Sequence, residues 1–310
     1  MIKAPPTPKG FRDILPEYAK KRREVINQIV EVLENLGFVP IETPTIEFAE
    51  TLTGKYGDEE KLIYKFTDRG GRELALRYDL TVPFARFVAS NLNLIGKDPF
   101  RRYQIGQVFR GENPQAGRFR EFTQIDFDVA GSTDIEEEAK IIACAVKSAR
   151  NAGIKSAAMA INDRENFSGI PANVIRAFDK IHKIKKEGVV EELKTQKLTD
   201  VEIAKYLNKL LNAKPTEKLK NIFAILETKY EMKLDREFFF DSSLARGLDY
   251  YTGPIFELKA DSNLASLSLG AGGRYDNLIE TFVNPAGGGA GKKIPAVGFS
   301  VGLDRLIEAL

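Results

Sequence analysis

The sequence has one cysteine, Cys144, and one histidine, His182, in 310 residues. A single cysteine excludes an internal disulfide framework and a zinc site built on cysteines, and a single histidine excludes a His-rich metal centre. A Ser-His-Asp triad would have to use His182, which stands in a Lys-rich helical stretch away from any nucleophile motif. It reads as a surface histidine or one satisfied within its helix. No apolar run approaches membrane-spanning length, and the first residues hold no apolar stretch of the kind a signal peptide needs. The cytoplasm is the expected compartment, with no membrane partner. A dominant charge is also lacking: the formal net charge is +2, so any contact with a polyanion must be a local patch.

Hydrophobic residues at 43% and charged residues at 29% describe a soluble globular chain with room for one large domain or two ordinary ones. From Glu17 to Leu36, Val25, Ile26, Ile29, Val32, Leu33 and Leu36 recur at helical spacing, with Gly37 placed to cap the helix. A short strand from Phe38 to Glu42 closes at Thr43-Pro44, which suits a sheet edge or an interface. Leu62 to Thr67 and Glu73 to Tyr78 read as a hairpin across Asp68-Arg69-Gly70-Gly71. Asp79 and Thr81 stand where a strand ends and a helix, Phe84 to Ser90, begins. Two roles are open to them: capping that helix, worth about 1 kcal/mol, or aiming a carboxylate and a hydroxyl at an ammonium group.

The stretch from Phe100 to Gly131 carries the densest chemistry. It reads as two strands joined by a polar loop holding Asn113, Pro114 and Gly117. Extended, the second strand puts Arg118, Arg120, Phe122, Gln124, Asp126 and Asp128 on one face. Phe119, Thr123, Ile125, Phe127 and Val129 take the other, as a core face would. The first face offers cations for phosphate, a ring for a base and acceptors for a cationic substrate. A solvated face with cross-strand ion pairs accounts for the charges but not for Phe122 and Gln124 among them. A site is the better reading.

Ile135 to Ala152 reads as an amphipathic helix with Glu136, Glu137 and Glu138 in its first turn, where the helix dipole favours them. Cys144 packs there as a small hydrophobe. Ala157 to Asn162 reads as a buried strand. From Pro171 to Lys233 the pattern is helical and lysine-rich, an inserted module whose lysines form a solvated face or a nucleic-acid contact. Strand patterns return at Phe238 to Phe240, Ile255 to Lys259 and Leu264 to Leu269, and Gly270 to Asp276 reads as a Gly-rich turn. The glycines from Gly287 to Gly291, followed by Lys292 and Lys293, fail the spacing of a phosphate-binding loop. At the end, Ala296 to Ile307 is a strand running into a helix, with Arg305 in its early turns, suited to a nucleotide.

Three of these segments resemble the signature motifs of class II aminoacyl-tRNA synthetases: the helix and strand ending at Pro44, the strand-loop-strand with Phe109-Arg110 and Arg118-Phe119-Arg120-Glu121-Phe122, and Gly302-Leu303-Asp304-Arg305. Within that class, the runs Leu244 to Gly253 and Ala271 to Leu278 are similar to the histidine-specific motifs of the histidyl-tRNA synthetase family. Lys9 to Asp13 fits the same family, and Arg77 to Arg86 resembles its archaeal and eukaryotic branch. The resemblance implies an α+β fold, an antiparallel sheet flanked by helices, with a helical insertion. The catalytic domain would comprise residues 1–162 and 236–310, around an insertion at 163–235, and would form a homodimer through the first motif. The region is similar to the family's catalytic part, without the C-terminal anticodon-binding domain that follows the third motif in full-length members.

The same resemblance implies ATP-dependent activation of L-histidine, with Mg²⁺ accompanying the ATP, and transfer of the histidyl group to histidine tRNA. Arg110 and Arg246 would act on the reacting groups from opposite sides, with no resident metal. Arg110, Glu112, Arg118, Phe122 and Arg305 would bind ATP, Phe122 stacking on adenine. Asp79, Thr81 and Gln124 would receive the α-ammonium, with Leu80 in the same histidine-binding set and Arg110 and Arg246 at the carboxylate. Asp128 and Tyr251 would read the imidazole, with Tyr250 and Tyr275 lining the pocket. Asp128 would be left buried and unpaired by an apolar isostere, which gives selectivity. Arg12, Arg120 and Arg274 would be structural partners of carboxylates. The alternative is a histidine-binding regulatory subunit of ATP phosphoribosyltransferase, which resembles this family without activating histidine. The presence of Arg110, Arg246 and Arg305 together favours the synthetase.

Overall fold

The computed structural model describes residues 5–114, 118–245, 250–261, 263, 267–283 and 293–310. Helix α1 spans Pro16–Asn35, with Pro16 in its first turn, and buries Val25, Ile29 and Leu33 at the predicted spacing. It ends where the amides of Gly37 and Phe38 donate to the carbonyls of Glu34 and Leu33, both at 3.0 Å, satisfying groups the last turn leaves open. Strand β1 (Val39–Pro40), strand β2 (Ile46–Phe48) and a short helix α2 (Ala49–Leu52) follow. Strands β3 (Lys65–Thr67) and β4 (Glu73–Leu76) lead to helix α3 (Thr81–Ser90). The long strands β5 (Phe100–Phe109) and β6 (Glu121–Ala130) precede helix α4 (Glu136–Asn151) and strand β7 (Ala158–Asp163). Helices α5 (Ala172–Phe178), α6 (Ile181–Thr195), α7 (Asp200–Leu211) and α8 (Glu217–Thr228) come next. Strands β8 (Phe238–Phe240), β9 (Pro254–Lys259) and β10 (Ser268–Arg274), helix α9 (Glu280–Val283), strand β11 (Ala296–Gly302) and helix α10 (Leu303–Glu308) complete the order.

Eight strands form one sheet in the order β1-β5-β6-β11-β10-β9-β7-β8, and a smaller sheet runs β2-β4-β3. The pairings across the centre are antiparallel, while β1 joins β5 and β8 joins β7 in parallel at the two edges. This is the helix-flanked α+β architecture that the resemblance implies. Pro40 lies on the outermost strand, where a missing N–H is tolerated.

One face of the large sheet packs Ile125, Phe127, Val129, Phe256, Phe299 and Val301 against α1, α4, α8 and α10, with Cys144 fully buried in the same layer. The opposite face of β6 turns Phe122, Gln124, Asp126 and Asp128 into a cleft. The two-residue period of one strand thus separates core from site.

Three sequence expectations change. Leu62 ends a 3-10 turn, Gly57–Leu62, so β3 is short, and β4 pairs with β2 as well as β3. Helix α3 begins at Thr81 because Asp79 caps it, Oδ1 accepting the Val82 N–H at 3.0 Å. Gly270 to Arg274 is not a turn but the body of β10, between β9 and β11. Tyr251 closes over Gly273, where an added Cβ would lie 2.8 Å from that ring, and Cβ atoms at Gly270 and Gly272 would meet the β11 carbonyls of Ser300 and Gly298.

The lysine-rich segment is helical, and α5 to α7 bury Val174, Phe178, Val189, Leu193, Ile203 and Leu207 on the cleft side of the sheet. Its last helix behaves differently, placing Leu219, Ile222 and Leu226 in the layer that holds α4. Lys183, Lys185 and Lys186 are exposed, and Lys180 and Lys194 pair with Glu192 and Asp200 at 2.7 and 3.0 Å. Among the described residues no helix is long and apolar enough to cross a membrane.

Candidate active site

The cleft has a volume of about 780 Å³, within the range of small-molecule sites. Strands β6, β11 and β10 form its floor, and the start of α3, helix α6 and helix α10 contribute to its walls. Asp79, Thr81, Arg110, Glu112, Arg118, Phe122, Gln124, Asp128, Tyr250, Tyr251, Tyr275 and Arg305 all line this one cavity. Leu80 does not: its side chain is fully buried, and its carbonyl accepts from Arg102 Nη2 at 3.2 Å. Arg246 lies outside the described residues, as does the glycine run at 287–291. Ala245 and Tyr250, which flank residues 246–249, both line the cleft.

Cations gather at one end. The Arg110 guanidinium lies 4.3 Å from the centre of the Tyr78 ring and 5.1 Å from that of Phe122, and its Nε donates to the Tyr78 carbonyl at 3.2 Å. Two aromatic faces and one carbonyl fix its orientation over the cleft. Arg118 stands 3.6 Å from Glu112. Arg305 Nη1 donates to the Ser268 carbonyl at 3.5 Å. Its neighbour Asp304 binds Arg12, Arg22 at 2.5 Å, and the Thr123 amide at 3.3 Å, pinning α10 to α1 and β6. Arg12 therefore partners a carboxylate, as does Arg274, which grips Glu138 at 2.5 and 2.6 Å. Arg120 departs from that expectation: it donates to the carbonyls of Glu112 and Lys9, at 2.9 and 3.4 Å, and ties the loop to the N-terminal segment.

Acids and tyrosines line the other end. Asp79 Oδ1 accepts from Tyr56 at 2.9 Å and from the Val82 amide, so the residue caps α3 and faces the cleft at once. Burial pushes its carboxyl above the usual range, against the pull of those two donors and Arg110. Gln124 Nε2 donates to Ser300 Oγ at 2.6 Å, and its buried Oε1 has no partner in the protein. Tyr250 and Tyr251 pack with ring centres 4.8 Å apart, and Tyr250 meets Tyr275 edge-on at 6.0 Å.

Asp128 is not left unpaired without a ligand, which corrects the sequence expectation. Arg102 Nη2 lies 2.6 Å from its Oδ2, both residues almost wholly buried, and the Tyr275 hydroxyl donates to Oδ1. Burial still raises its pKa, outweighing Arg102. Arg102 sits directly across from Asp128 on β5 and lies over the Phe84 ring at 4.3 Å. Sequence reasoning missed it because cross-strand register is invisible in a chain read alone. Asp126 was on the predicted face but had no assigned role. Burial pushes its pKa up to about 7, with Arg102 and a hydrogen bond from Ser300 opposing and Asp128 adding to the shift.

His182 is exposed, with Nε2 2.6 Å from Ser243 Oγ, and that hydroxyl donates to Asp241. Serine rather than histidine is the middle member, so the three do not make a nucleophilic triad. Lys259 and Glu257 pair in the cleft wall. Among the described residues no cluster of three or more His, Cys, Asp or Glu could hold a metal ion.

The family model for histidyl-tRNA synthetase matches residues 10–306 of this chain. A histidine–tRNA ligase of Aeropyrum pernix is 40% identical over 331 aligned residues, covering 98% of this chain and 74% of the relative. One from Wolinella succinogenes is 38% identical, covering 99% and 75%. Among solved structures, the histidyl-tRNA synthetase of Nostoc sp. PCC 7120 is similar with a TM-score of 0.81 at 28% identity, over 99% of this chain and 75% of that one. An ATP phosphoribosyltransferase regulatory subunit/histidyl-tRNA synthetase of Bacillus halodurans gives 0.79 at 27%, over 98% and 83%.

Proposed function

The chain belongs to the histidyl-tRNA synthetase family, and we propose that the cleft is where it joins L-histidine to ATP. It is a histidine–tRNA ligase: it activates histidine to histidyl-adenylate and passes the histidyl group to histidine tRNA. One observation carries the assignment of the site. A single cavity joins a cationic end, Arg110, Arg118 and Arg305, to an acidic and aromatic end, Asp79, Asp128 and three tyrosines.

The histidine carboxylate is ionised at neutral pH, so the first step needs no general base. One carboxylate oxygen attacks the α-phosphorus of ATP. A C–O–P linkage forms, the bond from that phosphorus to the α,β-bridging oxygen breaks, and pyrophosphate leaves with the electron pair and its Mg²⁺. The obstacle is bringing an anion to a polyanion, and fixed cations lower that barrier without reorganising. Arg110 is held over the cleft for this work, and Arg246 would approach from the other side. Glu112, Arg118 and Arg305 would position the nucleotide, with Phe122 stacked on its base. Asp79, Thr81 and the unpartnered Gln124 Oε1 suit the ammonium group, Leu80 adding support through the backbone. Asp128, Tyr250, Tyr251 and Tyr275 would enclose the imidazole.

Exposed Val39 within the first motif, and Ile46 and Phe48 just after it, at 48%, 45% and 51%, suit a homodimer formed through that motif and the strand that follows it. The protein would work in the cytoplasm. Histidine-dependent ATP–pyrophosphate exchange tests the reading, and Arg246→Ala should lower it by orders of magnitude. Histidine binding without exchange would instead assign the regulatory-subunit role.

A further inference from the structure

Of the two rings that flank Arg110, Phe122 is half-buried and would be engaged with the base of ATP, which leaves Tyr78, 1% exposed, as the fixed one. The Tyr78 hydroxyl donates to Glu59 at the rim of the cleft. Burial raises its pKa against the pull of Arg110, so the proton stays on the oxygen. Tyr56, equally buried, packs its ring 4.7 Å from that of Tyr78, and its own hydroxyl donates to Asp79 at 2.9 Å. Tyr56 and Glu59 belong to one short stretch, since Tyr56 immediately precedes the 3-10 turn Gly57–Leu62. The backbone on either side of Arg110 is tied to the same two segments. The Gly111 amide donates to the Leu62 carbonyl at 2.8 Å, and the Phe109 amide donates to the Arg77 carbonyl at 3.0 Å. In a close-packed unit of this kind no single member shifts alone.

We infer that Tyr78 is the positioning residue of Arg110, and that Tyr56, Glu59 and the turn Gly57–Leu62 brace it from behind. This rests on Arg110 acting on the reacting groups in the cleft. An unsupported arginine side chain samples many rotamers. Here the Tyr78 ring and the Tyr78 carbonyl, which accepts from Arg110 Nε, restrict it before any substrate arrives. A cation fixed in advance need not reorganise as charge builds on the α-phosphoryl group. The brace also reaches the acidic end, because Tyr56 holds Asp79. The ammonium and carboxylate of an amino acid are a fixed distance apart on one carbon. The groups that receive them must keep a matching separation, and the packed pair of tyrosines between Asp79 and Arg110 sets it.

The test is histidine-dependent pyrophosphate exchange on the whole chain, with kcat expressed per active site by titrating the adenylate formed in one turnover. Tyr78→Leu removes the ring and should lower kcat about 10–100-fold, while the KM values for histidine and ATP change far less. Tyr78→Phe keeps the ring and should recover most of that loss, with a smaller deficit from the missing bond to Glu59. Glu59→Ala should show the same deficit. Tyr78→Phe combined with Glu59→Ala should be no worse than either alone, because both break one bond. A purely structural role would lower the count of active sites and the Tm, leave kcat per site intact and produce no recovery by phenylalanine. An unchanged kcat per site in Tyr78→Leu, or a phenylalanine variant as impaired as the leucine one, overturns the inference. Should Tyr78→Leu misfold, the cycle of Tyr78→Phe with Glu59→Ala decides alone, and additive losses or no loss in either variant overturn it. Exchange that is absent from the unaltered protein, or indifferent to Arg110→Ala, removes the reading of the site itself. Exchange that needs Arg110 and ignores Tyr78 removes only the brace.

Discussion

Gly298 on β11 lies directly across from Asp128 on β6, and the Asp128 carboxylate occupies the space a side chain at position 298 would need. A Cβ there would run into Oδ1, on the oxygen that Tyr275 holds. Gly298→Ala must therefore turn the carboxylate away from Tyr275 or move a central strand. The expected cost is about 1–3 kcal/mol of stability, read by chemical denaturation. In exchange assays the KM for histidine should rise well above that for ATP. Equal changes in both would mean that the carboxylate is not part of the histidine end.

Arg102→Leu should be among the most damaging substitutions in the sheet. It leaves the Asp128 carboxylate buried without its cation, a loss of about 3–5 kcal/mol. Adding Asp128→Asn removes the stranded charge and should recover part of that loss, so the two changes will not be additive. Urea unfolding of the two single variants and the double variant measures the coupling. Additive losses would show that the 2.6 Å pair contributes nothing beyond packing.

What the sequence revealed and concealed divides along a physical line. The alternation of Phe122, Gln124, Asp126 and Asp128 with Ile125, Phe127 and Val129 separates cleft from core, because a strand's period is local. The helical run through Val25, Ile29 and Leu33 is legible for the same reason. Pairing is not local. Arg102 faces Asp128 and Gly298 only after β5 and β11 find their register on β6, so the ion pair beneath the site had no sequence signal. The glycines of β10 carry a turn's composition into a central strand, since their smallness answers Tyr251 at Gly273 and the β11 backbone at Gly270 and Gly272, not chain reversal. Asp79 shows a third case, in which capping and facing the cleft are compatible and the residue does both.

The Cys144 thiol should be inert in the folded protein. It is fully buried in the layer beneath the sheet, and burial pushes its pKa far above that of a free thiol. Reaction requires the thiolate and access for the reagent. A thiol reagent at pH 8 should thus show no labelling in native buffer and full labelling in denaturant. Labelling at the rate of a free cysteine without denaturant would contradict this packing.

Stability should decline from acid toward neutral pH through Asp126. An aspartate in the unfolded chain ionises near 3.9, whereas Asp126 in the folded protein titrates near about 7. Between those values the folded state binds more protons, so rising pH favours unfolding. The contribution is fully present below about pH 4 and is lost as the pH passes through about 7. Burial raises Asp79 and Asp128 as well, which adds the same sign. A difference of roughly three pH units corresponds to about 4 kcal/mol. Asp126→Asn removes that group's share. Its Tm should gain on the unaltered protein progressively between pH 5 and pH 8 in thermal melts at constant ionic strength. A Tm difference independent of pH would place Asp126 in a solvated or already paired environment.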